Sequence, residues 1–229
     1  MCGRFNVIDD PLNRLLKEMT GKQDRWPLVT ELNIAPTRDI PVLLFDDLVS
    51  SWELRLMRWW LIPWWADGPT QRYKMFNARS ESLRKSKAFK EPYEKKRCII
   101  PASGYYEWRD EDGLKQPYYI TPCDQFGFAF AGIWESWQGQ GRIIESCAIV
   151  TKAAPLQMRQ IHSRVPLSLS SKEILDWLSN STSTRKLDSI LQTETKMNLR
   201  ATPVSRLVNS SRIKDERCLE VVGEPIILQ

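Results

Sequence analysis

The residues best equipped for chemistry stand at the start of this sequence, in Met1-Cys2-Gly3-Arg4-Phe5. A small side chain at position 2 lets an aminopeptidase remove Met1, so Cys2 is expected to carry a free α-amine beside its thiol. Such a 1,2-aminothiol reacts with aldehydes as no internal residue can. The amine condenses to an imine, and the thiol then closes a five-membered thiazolidine on the same carbon. Both groups are usable near neutrality, with reference pKa values of about 7.7–8.0 and about 8.5. The ring closure gains further from being intramolecular. For Cys2 alone the plainer reading is a small hydrophobe in a buried strand.

Four more polar positions stand out. Arg4 follows the cysteine closely. Asn77 lies in Phe76-Asn77-Ala78-Arg79-Ser80-Glu81, Glu107 in Gly104-Tyr105-Tyr106-Glu107-Trp108, and His162 in Ile161-His162-Ser163-Arg164-Val165-Pro166. Glu107 sits among aromatics in a strand pattern, where half-burial raises a carboxyl toward a usable general acid or base. A surface carboxylate on an edge strand is the alternative. His162, the sole histidine, is either structural or a second proton carrier. Asn77 reads as a turn residue or a hydrogen-bonding ligand. Arg79 and Arg164 are either solvated charges or anion contacts.

The elements that must position these residues follow from pattern. Asp9 or Asp10 can cap a helix with Pro11 in its first turn, apolar at Leu12, Leu15, Leu16 and Met19 and ended by Gly21. Asn33-Ile34-Ala35-Pro36 reads as a loop, because Pro36 extends the residue before it. Pro41–Phe45 and Trp52–Trp60 read as strands, Leu61–Trp65 as an edge or turn around Pro63, and Met75–Ser80 as irregular. Glu81–Phe89 reads as a short basic helix. Arg97–Ile100 and Gly104–Arg109 are strands, and Asp110-Glu111-Asp112-Gly113 turns the chain into Gln116–Thr121. Phe126–Trp134 and Ile143–Thr151 follow as strands. Pro155–Ile161 forms helical turns ending at His162. Ser170 or Ser171 caps a helix over Lys172–Ser179, Thr184–Gln192 is helical, and Val204 and Leu219–Val222 lie in late strands. With no repeat and no long linker, the pattern implies an α+β fold over residues 1–229. It is one domain with a bent antiparallel sheet or open β-barrel-like core and peripheral helices.

Composition narrows the function. Residues are 42% hydrophobic and 27% charged among 229, ordinary for a soluble globular chain long enough to bury a core. No apolar run is long enough to span a membrane, and no basic-then-apolar signal peptide opens the chain, so a cytoplasmic location is expected. The five cysteines, Cys2, Cys98, Cys123, Cys147 and Cys218, are widely spaced without a CxxC pair, against a disulfide framework or structural zinc. No metal and no cofactor are expected. A net charge of +5 favours acidic partners weakly, but ten tryptophans beside it suit single-stranded nucleic acid.

Taken together, the segments already quoted resemble the SRAP family, the SOS response-associated peptidase domain also called abasic-site processing proteins. With them match Asn33-Ile34-Ala35-Pro36, Trp59 with Leu61-Ile62-Pro63-Trp64-Trp65, Gln116-Pro117-Tyr118-Tyr119, Val150-Thr151 and Pro203-Val204-Ser205. Trp60, Ala102-Ser103 and Val165 depart from the family's usual residues. The resemblance implies that the protein traps abasic sites in single-stranded DNA as a covalent crosslink through Cys2. It implies Asn77, Glu107 and His162 as the other catalytic residues. Arg4, Asn33, Pro36, Trp64, Trp65, Arg79, Thr151 and Arg164 are the implied DNA contacts. Abasic-site lyase activity accompanies this reading, in a monomer associated with the nucleoid when bound to DNA. Two other readings stay open. One is an N-terminal-nucleophile peptidase acting on its own Met1 or on other peptides. The other is a non-catalytic reader of single-stranded or modified DNA.

Overall fold

The computed structural model of the protein describes residues 2–70, 73–193 and 197–228. In chain order, the first half runs β1 (Phe5–Val7), α1 (Asp9–Thr20), β2 (Glu31–Ile34), β3 (Asp39–Asp46), β4 (Ser51–Trp59), β5 (Asn77–Arg79), α2 (Lys90–Lys95) and β6 (Arg97–Ala102). The rest is β7 (Gly104–Glu111), β8 (Leu114–Pro122), β9 (Phe128–Gly139), β10 (Arg142–Ala153), β11 (Arg164–Pro166), α3 (Ser171–Leu178), α4 (Thr184–Gln192), β12 (Leu199–Pro203) and β13 (Ile226–Leu228).

Five strands close on themselves in the order β10-β4-β3-β6-β9, with β9 pairing back to β10. This barrel-like ring has no free edge. An open sheet, β13-β12-β8-β7-β1-β2, lies beside it. Two hairpins hold the long strands in register. Their central residues, Asp112-Gly113 and Gln140-Gly141, all have positive φ, which suits the two-residue turns that match strand twist. One apolar core serves both sheets. Phe5 of β1 meets Trp59 of β4 edge-on at 5.0 Å, and Tyr105 of β7 meets Phe130 of β9 at 5.8 Å. Each such ring pair contributes about 0.5–1.5 kcal/mol beyond its buried area. They fasten the open sheet to the barrel.

The expected antiparallel core is present, with two parallel exceptions. The long strand β10 pairs in parallel with the end of β4 and with β5. At 12 residues it is long enough to take both in series, and the connection between them loops out.

Four expectations are corrected. Asn33 and Ile34 belong to strand β2, since Ile34 pairs with Phe5. The segment Met75–Ser80 contains strand β5, and its three residues, Asn77-Ala78-Arg79, are too few to carry a readable period. Residues Glu81–Phe89 complete a 3-10 turn that starts at Ser80 and continue in hydrogen-bonded turns, and the helix begins at Lys90. Pro92 explains this. It is tolerated in a first turn but would clash with the carbonyl of residue 88 if one helix ran through. In the segment Leu219–Val222 only Val221 makes a strand contact, one bridge to Val204. The cap of α1 also differs in detail. Ile8 takes the N-cap position, and the Asp9 amide donates to Thr30 Oγ1 at 3.1 Å. No helix among the described residues is long and apolar enough to cross a membrane.

Candidate active site

The register of β1 on β7 determines what meets Cys2. Phe5 lies opposite Tyr105, and the Tyr106 amide donates to the Arg4 carbonyl at 2.9 Å. The antiparallel ladder therefore carries the first residues alongside Glu107. From the other side, β5 sets Asn77 opposite Ile149 of β10. The Asn77 amide nitrogen donates to the Cys2 carbonyl at 2.7 Å. His162 lies in the loop before β11, with Nε2 3.9 Å from Glu107 Oε2. The fold thus gathers Cys2, Asn77, Glu107 and His162, separated by up to 160 residues of sequence, into one group at the seam of the two sheets. Met1, whose removal is expected, lies outside the described residues.

Burial sets the electrostatics. Cys2 is fully buried, and this, with the nearby Glu107 charge, pushes its thiol up. A neutral thiol needs a base beside it before it can attack. Burial raises the Glu107 carboxyl to about 7, inside the range where it can both take and give a proton. Burial has the opposite sign for imidazole and lowers His162. Tyr105, on the same face of β7 as Glu107, is driven well above its ordinary value by burial and by the charges of Glu107 and Cys2. The Oδ1 atom of Asn77 is buried without a hydrogen-bond partner among the described residues. An unsatisfied buried acceptor is costly, so one left open at a candidate site calls for a donor from outside.

Glu107 also makes stability depend on pH. Its folded-state value lies above the unfolded one, so the stabilising preference for the protonated form is complete below pH ~4.5 and lost as pH rises through about 7. Glu107→Gln cannot ionise. Its stability relative to the native protein is expected to rise by about 3 kcal/mol between pH 4 and pH 8, at 1.36 kcal/mol per unit. Urea midpoints of the two proteins at both pH values test this, and parallel curves would contradict it.

The expected DNA contacts divide. Arg79 is exposed at the end of β5, two residues from Asn77. Trp64 and Trp65 are 57% and 41% exposed on the loop after β4. That loop is tied at its base, where the Leu61 amide donates to the Met75 carbonyl at 3.1 Å, close in sequence to Asn77. The Trp64 indole donates to Glu91 at 2.8 Å, and Lys87 stands 4.4 Å above the Trp65 ring. Trp65, Pro63, Thr70, Tyr73 and Met75 line a groove of about 590 Å³ there. Trp60, one of the departures from the family, donates its indole to the Thr70 carbonyl at 3.0 Å and so braces this loop.

The others face inward. Arg4 donates to Asn33 Oδ1 at 2.6 Å and to the Val208 carbonyl at 2.7 Å. Asn33 is fully buried and donates to the carbonyls of Val208, Ser210 and Ile213. Pro36 is partly buried in a tight turn, and Thr151 is buried in β10. Arg164 grips Glu81 and Thr151. Glu81 is a residue to which sequence reading assigned no role, although it lies in the quoted Asn77–Glu81 segment. Its ion pair spans 83 positions, so no local pattern signals it. Among the described residues no group of three or more His, Cys, Asp or Glu is arranged to hold a metal ion.

The chain is similar to known proteins in sequence and in fold. A model of the family SOS response associated peptidase (SRAP) matches residues 1–211. The chain is 35% identical over 227 residues to abasic site processing protein YoaM of Bacillus subtilis, covering 96% of this chain and 98% of that one. It is 30% identical over 232 residues to abasic site processing protein HMCES of Xenopus tropicalis, covering 88% and 68%. A crystal structure of a protein from Bacteroides thetaiotaomicron superposes with a TM-score of 0.81 at 25% identity, covering 97% of this chain and all of that one.

Proposed function

Because the chain belongs to the SOS response associated peptidase (SRAP) family, we propose that it captures abasic sites in single-stranded DNA through Cys2 after Met1 is removed. The observation that carries this reading is the Asn77 hydrogen bond that fixes the Cys2 carbonyl at 2.7 Å beside Glu107 and His162. That contact, the 3.9 Å approach of His162 to Glu107 and the effect of the Glu107 charge on the Cys2 thiol support the reading.

An abasic deoxyribose opens from its cyclic hemiacetal to an aldehyde at C1′. The Cys2 amine adds to that carbon, and loss of water leaves an imine. The thiol sulfur then adds to the same carbon, its proton passing to the nitrogen, and the thiazolidine closes. The net change is aldehyde plus aminothiol to thiazolidine plus water. Glu107 takes protons from the nucleophiles and returns one to the departing hydroxyl. His162 serves the sugar oxygen. The open Asn77 Oδ1 accepts from the amine. The imine can alternatively lose the 3′ phosphate by β-elimination, which is a lyase reaction, and thiazolidine closure diverts it.

Mass spectrometry after incubation with an abasic oligonucleotide tests the proposal. The expected species is the Met1-less protein plus the oligonucleotide minus one water. An unmodified protein would reject it.

Binding outside the covalent centre is assigned to Arg79, to Lys87 and to the aromatic pair Trp64 and Trp65. Stacking and phosphate pairing favour single strands or junctions over intact duplex. With two phosphate contacts, log K should fall against log salt with a slope of about −1.4, at roughly −0.7 per contact. Fluorescence anisotropy with an oligonucleotide lacking the lesion checks both points, and equal affinity for duplex would count against them.

A further inference from the structure

The groove beside Trp65 is framed by a loop that the barrel holds in shape. The Ile62 amide donates to Ser146 Oγ at 2.9 Å, and the Leu61 amide to the Met75 carbonyl at 3.1 Å. The Trp60 indole donates to the Thr70 carbonyl at 3.0 Å, and the Trp137 indole to the Ala66 carbonyl at 2.7 Å. Ser146 belongs to β10 and Trp137 to β9, so two barrel strands brace the loop from behind. At about 590 Å³ the groove falls within the roughly 300–1,000 Å³ usual for sites that enclose small ligands.

Its lining has the chemistry of a base rather than of a phosphate. Trp65 and Tyr73, 41% and 62% exposed, offer π-faces, and Pro63 and Met75 add apolar surface. Among the described residues that line it, none is a lysine or arginine, and Asp67 is exposed on the lining. A carboxylate repels phosphate but accepts hydrogen bonds from the N–H groups on the edges of bases. The cations stand outside the lining. Lys87 Nζ lies 4.4 Å from the Trp65 ring, and Arg79 is exposed at the end of β5.

We propose that this groove is a nucleobase pocket. It takes the base of one nucleotide neighbouring the lesion and stacks it against Trp65 and Tyr73, while the phosphate of that nucleotide stays outside, toward Lys87. The identity of the strand rests on the proposed abasic-site reading. Every base carries a π-face and an N–H edge, so the pocket requires a base without selecting one. The lining reaches Met75, two residues before Asn77. A base anchored there fixes the register of the strand near the covalent centre.

Noncovalent binding tests the pocket separately from the crosslink. The full chain lacking Met1 is titrated, by fluorescence anisotropy, with a single strand carrying a tetrahydrofuran analogue of the lesion, which has no aldehyde. Each neighbouring nucleotide in turn is then replaced by a base-less spacer that keeps its phosphate. In the native protein one position is expected to cost about tenfold in Kd, the scale of a single base stacked on aromatic side chains, and the other positions little. A 2-aminopurine at that position should be quenched on binding. Tyr73→Ala should bind the intact strand about tenfold more weakly and lose both the position-specific penalty and the quenching. Tyr73→Phe keeps the ring and should retain both. Tyr73 is exposed, so its variants are expected to fold, and thermal unfolding verifies this. Equal penalties at every neighbouring position would overturn the proposal, and so would a penalty that Tyr73→Ala leaves unchanged. If the position-specific penalty is found but the native protein forms no adduct with an aldehyde-bearing strand, the pocket stands and the abasic-site reading falls.

Discussion

An uncleaved extension before Cys2, or retention of Met1, is expected to abolish the heat-stable crosslink while leaving noncovalent DNA affinity nearly intact. The thiol would still be present. The amine would not, because the Cys2 nitrogen becomes an amide and the nearest α-amine moves outward by up to ~3.6 Å of extended chain. A preorganised site tolerates about 0.5 Å. Cys2 cannot slide outward to compensate, since it is fully buried and its carbonyl is held by Asn77. Point substitutions separate the two functional groups. Cys2→Ala keeps the amine and should form a transient imine that nicks the strand, with no stable adduct. Cys2→Ser should close an oxygen analogue of the ring that hydrolyses readily. Denaturing gels of an abasic single-stranded oligonucleotide after heating, with mass spectrometry of the protein's N-terminus, distinguish these products. If a verified extension crosslinks as well as the mature chain, the aminothiol mechanism is wrong and an internal lysine or cysteine must be the nucleophile.

Glu107→Ala is expected to slow crosslinking by about 10²-fold or more, the scale of a positioned proton carrier. The expected pH profile is more diagnostic than the rate. Burial raises the Glu107 carboxyl to about 7. As the base for amine and thiol it works ionised, so the native rate should climb as pH rises through about 7. The Cys2 amine, with a reference pKa of about 7.7–8.0, contributes a second rising limb. Glu107→Gln preserves shape but cannot ionise, so only the amine limb should remain. His162→Ala should also slow the reaction and alter how readily the crosslink reverses, because making and unmaking the imine both require proton transfer at the sugar. Quenched-flow rates between pH 5.5 and 9 supply the measurement. A Glu107→Gln profile that keeps both limbs would remove Glu107 from the chemistry.

Much of the scaffold is legible in the amino-acid sequence. The β7–β8 hairpin could be read from Asp110–Gly113 between alternating apolar residues, because a tight turn and its flanking strands are local events. The helix over Lys172–Ser179 was legible from Ser170 and its period, and the structure adds a capping box with Glu173. The start of helix α2 is not legible locally, because a run of lysines reads as a solvated face anywhere, while Pro92 dictates where that helix starts. Strand β5 is not legible in the sequence, because three residues carry no period. Only the neighbouring β10 makes them a strand.

The site divides along the same line. The amino-acid sequence by itself determined the kinds of chemistry available. A cysteine at position 2 defines an aminothiol once Met1 is gone, and covalent structure needs no fold to exist. It also named the acid and base candidates, since Glu107 among aromatics and a single histidine are compositional facts. Only the tertiary structure decided which of these groups meet and how each behaves. A carboxyl rises to about 7 because two sheets exclude water from it. Two residues expected alike to meet phosphate, Arg79 and Arg164, part company because one ends a strand in solvent while the other finds Glu81, 83 residues away, and the buried Thr151. Desolvation and long-range pairing belong to the packed arrangement of the whole chain, and no local run of residues encodes them.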